Sequence, residues 1–405
     1  MSQIKISVNR LQIGMYVSNL DRPWVETPFL FQGFHVKDPA IIEELAKYCK
    51  HVYVDDEQGK APDEQVTVFA TEQAGGVIHV EDEAPKAQQI QTRISQEFKN
   101  VVENIRTGGE LDVVAISKEV DHMVAGCLRN VDAYLLLTKL KSKDDYTYSH
   151  CLSSAIFAVM MGRHMGLNKN ELEELAFGHM FFDIGMIKLP TALINKTSAY
   201  TEEEKATFRK HVHYSVEILN AMKGGVKPSA IDIAMHHHER FDGSGYPLGL
   251  KGNQIPLYAR IAGIIDTYDT LTSKRPHAKA ISHDEAIRSL YKTIDRDFQK
   301  DILETFIQCL GTYPSGSLVE LNSGEVGIVL QQNRISRLRP RVMLILNPKK
   351  EFNNYFPILN LLTKPTDSHG RTIEISKLLT PGTYDIDPSE FYLQMTGTGS
   401  GQQMT

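Results

Sequence analysis

Several features are scarce in this chain of 405 residues. Its four cysteines, Cys49, Cys127, Cys151 and Cys309, are scattered and show no C-x-x-C spacing. That argues against a disulfide framework or a zinc knuckle, and predicts reduced thiols and a cytoplasmic location. No apolar run reaches the length of a membrane span; the most apolar helical stretch, 155–161, is far too short. The N-terminus, Met1 to Val8, lacks the apolar core of a secretory signal. Positive charge is not in excess: the formal net charge of −6 leaves no basic footprint for a nucleic-acid polymer. No internal repeat is visible, which sets repeat architectures aside.

The hydrophobic content of 41% and charged content of 23% describe a globular protein. The length argues for two or three domains. Ile4, Ile6 and Val8 alternate, followed by Gly14, Met15, Tyr16 and Val17, a pattern of short strands joined by a turn. Trp24, Phe29, Leu30 and Phe31 continue this module; 41–48 has helical spacing and 51–55 reads as a closing strand. The expectation is a small α+β domain over 1–60, followed by a linker over 61–85 that is rich in Gly, Glu, Asp and Pro and holds a strand at 66–70.

From residue 86 the pattern is helical. Ile90, Ile94, Phe98, Val101, Val102 and Ile105 mark one apolar face, which ends at Gly108 and Gly109. Connecting helices are expected over 86–140 and a helical domain over 141–312, with helices near 111–140, 145–166, 170–186, 201–222, 228–238, 258–273 and 283–311. Thr201 and Glu204 form the Thr-x-x-Glu pattern of a capping box. Strand-like runs separated by Gly, Asn and Pro then predict a small β module, a barrel or sandwich, over 313–393. The tail, 394–405, has a disordered composition. The predicted fold is mainly α, flanked by a small N-terminal α+β domain and a small C-terminal β module.

Candidate metal ligands fall on separate helices of the middle region: His150, Asp183, His211, His237, His238 and Asp266. Imidazoles mixed with carboxylates suit Fe, Mn or Zn better than Ca or Mg. Several ligands around one bundle core suggest up to two metals. A lone histidine on a helix is more often packed or solvated than ligating. It is the joint occurrence that points to a metal. Beside the pair lies the run His237-His238-Glu239-Arg240-Phe241-Asp242-Gly243-Ser244-Gly245-Tyr246-Pro247. There Gly243 and Gly245 permit a tight turn near a ligand, and Tyr246 can stack or hydrogen-bond.

These residues resemble the HD-GYP domain, a subgroup of the HD metal-dependent phosphohydrolases. The resemblance runs from about Asp145 to Phe306 and includes His150, Asp183-Ile184-Gly185, Pro190, Lys196, His211, the 237–247 signature, Asp266, Asp269 and Arg275-Pro276. Residues 3–60 resemble the small DUF3391 domain often found ahead of this module. The resemblance implies a helical HD bundle that hydrolyses cyclic di-GMP with two divalent metals, probed best as Fe or Mn. Such a pair would activate water and neutralise phosphate charge. It implies metal ligation by Asp183, His211, His237, His238, Asp266 and His150, with Asp183 and Asp266 as the catalytic pair. Substrate contacts are implied at Gly243, Gly245, Tyr246, Pro247 and Arg275, with Lys196 and Arg240 as further candidates. A GGDEF-domain partner and a homodimer are compatible with it.

The chain departs from the family pattern. Phe182 stands where the motif's metal-binding histidine belongs, and Met186 where its substrate lysine belongs. His277 and Ala278 replace the usual Tyr-Arg after Arg275-Pro276. His179, one helical turn before Asp183, is a candidate replacement ligand, and Lys188 a candidate replacement cation. Three readings follow: a cyclic di-GMP phosphodiesterase with a reduced site, an inactive cyclic di-GMP-binding or protein-interaction module, and another HD-type hydrolase acting on a nucleotide.

Overall fold

The computed structural model describes residues 3–22, 27, 33–36, 38–55, 78–139, 146–273, 279–333, 336–380 and 382–395. The expected strand at 66–70, the aromatic residues Trp24, Phe29, Leu30 and Phe31, and the tail from 396 onward lie outside them. The chain divides into two compact units, 1–77 with 161–171, and 78–160 with 172–405.

The first unit contains an antiparallel sheet of β1 (Gln3–Ser7), β2 (Tyr16–Leu20), β3 (Phe34–His35) and, after helix α1 (Pro39–Tyr48), β4 (His51–Asp55). The spatial order is β1-β4-β2-β3. Alternation puts Ile6, Val17, Leu20, Val52 and Val54 into one core with Leu45 of α1. Asp38 caps α1 by accepting from the Ala40 N–H at 2.8 Å, and Pro39 occupies its first turn. This is the small α+β domain that the alternation predicts.

The second unit opens with α2 (Val80–Thr107) and α3 (Val114–Leu137). α2 begins six residues ahead of the expected 86, because Val80, Ala84 and Ala87 extend the buried stripe. The acidic run Glu81, Asp82 and Glu83 resembles linker in composition, but it favours a helix N-terminus. The helices lie antiparallel: buried Glu83 near the start of α2 accepts from Arg129 near the end of α3 at 2.6 Å. Gly108 closes α2 in the left-handed conformation, as its position predicts.

α4 (Tyr146–His164) follows, buried on every side from Cys151 to Met161, so its lack of polar periodicity is that of a central helix. Next come α5 (Lys169–Phe181), a 3₁₀ turn (Ile184–Lys188), α6 (Thr191–Ile194), α7 (Glu202–Phe208), α8 (His211–Ala221), α9 (Pro228–His236), α10 (Leu257–Thr272), α11 (His283–Tyr291) and α12 (Lys300–Leu310). Thr201 and Glu204 form the expected capping box on α7. Several expected helices are broken. The stretch 201–222 divides at Arg209 and Lys210, and 283–311 divides over 292–299. At the first break the Phe208 carbonyl accepts from His211 Nδ1 at 2.7 Å, a side chain in competition with the helix ladder.

β5 (Leu318–Leu321), β6 (Val326–Gln331), β7 (Arg341–Leu346), β8 (Ile358–Asn360) and β9 (Ile375–Leu379) form one antiparallel sheet in the order β8-β7-β6-β5-β9, followed by α13 (Pro388–Met395). It is a single sheet rather than a barrel or sandwich. β6 is buried at all six positions and packs against α3. Arg341 of β7 reaches Glu81 of α2 at 2.7 Å, and Tyr392 of α13 donates to the Ala133 carbonyl at 3.2 Å. Helices supply the second layer that a sandwich would draw from another sheet.

Candidate functional site

The position of Asp183 is set by backbone packing. The 3₁₀ turn that follows it lies against α8 so closely that a Cβ on Gly185 would sit 2.1 Å from the His211 carbonyl oxygen. The Gly185 N–H donates to Ser215 Oγ at 2.8 Å. Only glycine permits this approach, and it places the Asp183 carboxylate beside the first residue of α8. Asp183 Oδ1 lies 3.3 Å from His211 Nε2 and 3.4 Å from His237 Nε2. His238 Nε2 faces His211 Nε2 at 3.2 Å. The donor atoms of Asp183, His211, His237 and His238 all lie within 4.8 Å of one another.

A second group shares Asp183 with His150 and Asp266. His150 Nε2 is 3.2 Å from Asp266 Oδ1 and 3.7 Å from Asp183 Oδ2. Its other nitrogen bonds buried Asp269 Oδ2 at 2.8 Å, and Ser273 Oγ donates to the same carboxylate. Asp266, Asp269 and Ser273 follow one another along one face of α10 and its end. Asp269 was no ligand candidate; a carboxylate three residues after Asp266 is the local signal for a group that orients the histidine.

The imidazoles are prepared for a cation. Nδ1 of His211 bonds the Phe208 carbonyl at 2.7 Å, and Nδ1 of His237 bonds the Ala234 carbonyl at 3.1 Å. In a neutral ring each such bond holds the proton on Nδ1 and leaves Nε2 with a lone pair. His237 Nε2 and Asp183 Oδ1 are buried without a formed hydrogen bond. Lone pairs facing a carboxylate oxygen at 3.4 Å repel unless a cation lies between them. The donor set, three imidazoles and shared carboxylates, fits a divalent transition metal.

The electrostatics agree. Burial would raise the Asp183 carboxyl, but the His211 and His237 imidazoles outweigh it and hold the group well below the usual carboxylate range. Burial, with His237 and His211 nearby, pushes His238 well below the usual imidazole value. Burial would also lower His211, yet Asp183 more than offsets this and raises it.

Phe182, fully buried, fills the space beside the second group. Its ring lies 5.4 Å from that of His150, 6.0 Å from that of His179 and 4.8 Å from that of His237, centroid to centroid. His179 belongs to neither ligand group. Its Nδ1 bonds the Leu175 carbonyl at 2.8 Å, its Nε2 has no hydrogen-bond partner, and burial pushes its pKa down to about 4.

Both groups open onto a cavity of about 1990 Å³, whose wall includes His150, Asp183, Met186, His211, His238, Tyr246 and Asp266. Typical ligand pockets span about 300–1,000 Å³, so a dinucleotide has room here. The wall also includes Phe98 of α2 and residues 378–380 and 385–388 of the C-terminal module.

The signature loop proves largely architectural. A Cβ on Gly245 would lie 2.5 Å from the His238 carbonyl oxygen and 2.3 Å from the Arg240 nitrogen, so this glycine lets the loop fold back on its own ligand residues. Glu239 accepts from the Leu248 and Leu250 N–H groups at 2.8 and 3.0 Å. Its two oxygens hold the loop. Tyr246 stacks on His238 with centroids 4.7 Å apart, and burial keeps its phenol protonated. Gly243, Gly245 and Pro247 are not part of the cavity wall. Lys196 pairs with Glu204 at 2.5 Å, Arg240 donates to the carbonyls of His237 and Glu239, and Lys188 pairs with Glu217 at 3.1 Å. Arg275 lies outside the described residues.

A bundle carrying this cluster is matched by the HD-domain family over residues 135–301, and the family termed "Domain of unknown function (DUF3391)" matches residues 3–116. The chain belongs to the HD-domain family of phosphohydrolases. More particularly, it is 31% identical over 358 residues to the cyclic di-GMP phosphodiesterase PA4108 of Pseudomonas aeruginosa, covering 86% of each chain. The cyclic di-GMP phosphodiesterase response regulator RpfG of Xanthomonas campestris is 32% identical over 37% of this chain and 40% of its own. The 3'3'-cGAMP-specific phosphodiesterase 2 of Vibrio cholerae is 30% identical over 43% of this chain and 34% of its own. The chain therefore spans well under two thirds of the last two relatives. The DUF3391 match runs past the expected 1–60 and includes all of α2. No helix among the described residues is long and apolar enough to cross a membrane.

Proposed function

We propose that this protein is a metal-dependent phosphodiesterase acting on cyclic di-GMP. The observation that carries the reading is the pair of ligand groups sharing Asp183 on the wall of a cavity with room for a dinucleotide. The similarity to PA4108 over 86% of both chains supports the choice of substrate.

Divalent cations held there supply Lewis acidity toward the phosphoryl oxygens and a nucleophile at neutral pH. The chain does the rest. Asp183, His211, His237 and His238 form one complete four-residue holder, and His150, Asp183 and Asp266 a second, shorter one. Asp269 fixes the His150 ring so that Nε2 faces Asp183 and Asp266. Tyr246, kept protonated, offers a hydroxyl donor and a ring at the cavity wall.

The test is turnover of cyclic di-GMP by purified protein loaded with Mn²⁺ or Fe²⁺, with products separated by chromatography. A linear dinucleotide or GMP is expected. Tight binding without hydrolysis at any metal loading overturns the enzyme reading. That outcome favours a second one, a cyclic di-GMP-binding or GGDEF-docking module, for which Phe182 and the apolar Met186 in the wall are the specific support.

A further inference from the structure

We propose that Arg209 is the cation that meets the substrate phosphate beside the metal cluster, in the role that Met186 cannot fill. The inference rests on the phosphodiesterase reading above and names a residue that the sequence pattern passes over.

Arg209 Cζ lies 4.7 Å over the centroid of the Tyr246 ring. Tyr246 in turn stacks on His238, with ring planes 26° apart, and His238 Nε2 lies 3.2 Å from His211 Nε2. A guanidinium, on an otherwise exposed residue, thus lies one aromatic ring from a candidate metal ligand. Arg209 sits at the break between α7 and α8, two residues before His211, and shares the cavity wall with Met186, Asp183 and Tyr246.

A guanidinium held over an aromatic ring keeps N–H donors for a phosphate, which they can grip in a two-pronged fashion. Several nearby cations are committed elsewhere, while Lys99, Arg106, Lys139 and Lys279 share the same cavity wall. Lys188 is held by Glu217, Lys196 by Glu204, and Lys205 by Glu202. Arg240 is spent on backbone carbonyls and lies over the Phe298 ring. Among the described residues no carboxylate pairs with Arg209. Glu202, which feels its charge, is itself held by Lys205 at 2.8 Å. Met186 in the same wall carries no charge to offer. The site as built therefore draws its phosphate contact from the far side of Tyr246 rather than from the turn after Asp183.

Calorimetric titration of metal-loaded protein with cyclic di-GMP and, separately, with inorganic phosphate tests this. Arg209→Ala is expected to weaken both by about 10- to 100-fold, the range for a lost charged hydrogen bond, with metal content and melting temperature unchanged. Arg209→Lys recovers only part, because it keeps the charge and loses the fork. Unchanged affinity for both ligands in Arg209→Ala overturns the inference, as does a binding loss that merely follows loss of metal. A wild-type protein that ignores cyclic di-GMP, but whose phosphate binding depends on Arg209, sinks the proposed substrate and leaves this inference standing. Binding of neither ligand sinks both.

Discussion

Phe182 meets His237 edge-on, with ring centroids 4.8 Å apart and planes at 78°. The same Phe182 ring lies 5.4 Å from that of His150, whose group with Asp183 and Asp266 has three residues against four in the group that holds His237. Wild-type protein is therefore expected to retain one tightly held metal per chain, and Phe182→His to retain two. Metal analysis after gel filtration measures this directly. Equal stoichiometry in both proteins would show that Phe182 does not stand in a ligand position.

His237→Ala removes an imidazole from the complete group and leaves the buried Asp183 Oδ1 facing a void. Loss of even an outer partner typically costs about 10–100-fold in metal affinity or activity, so at least that fall is expected. Competition with a chelator gives the affinity. Retention of wild-type affinity would remove His237 from the ligand set.

Glu239 accepts two backbone N–H groups of the 248–250 turn while almost wholly buried. Glu239→Ala is expected to destabilise the fold by about 1–2 kcal/mol, since two backbone donors lose their charged partner. It should also raise the KM for substrate by loosening Tyr246, with metal content preserved. Urea denaturation alongside metal analysis separates this from a ligand role, in which metal would be lost at unchanged stability.

His283 links three elements: Nδ1 accepts from the Tyr268 hydroxyl at 2.9 Å and Nε2 donates to the Gly311 carbonyl at 3.2 Å. Burial lowers its pKa from 6.5 to about 4. Between those values the unfolded chain takes up a proton that the folded chain refuses, so stability falls as pH drops through the window. At most about 3 kcal/mol is at stake, reckoned at about 1.36 kcal/mol per unit. His283→Gln should flatten the slope of melting temperature against pH between 6.5 and 4. An unaltered slope would assign the effect to other groups.

The candidate ligands were legible in sequence only jointly: His237-His238, the Asp183-Ile184-Gly185 turn and Asp266 in an apolar run are distinctive, whereas His150 and His211 stand alone on their helices. The order of a small mixed sheet, a helical middle and a C-terminal sheet was legible from hydrophobic period together with Gly, Asn and Pro breaks. Long-range pairings were not. The bond from Asp269 to His150 joins residues 119 apart. The stack of Arg209 on Tyr246 depends on a helix break that apolar periodicity runs straight through. The sheet was read as a barrel or sandwich because the helices that pack against it lie far away in the chain.

Asp183 is common property of both ligand groups. A cation held among the three imidazoles would draw on the same negative charge that a second one at His150 and Asp266 would need, so loading would have an order. A titration followed by heat should show two unlike phases, with the weaker one belonging to His150 and Asp266. Control of the protein by metal supply would then act through that second phase, leaving the imidazole-rich position filled throughout.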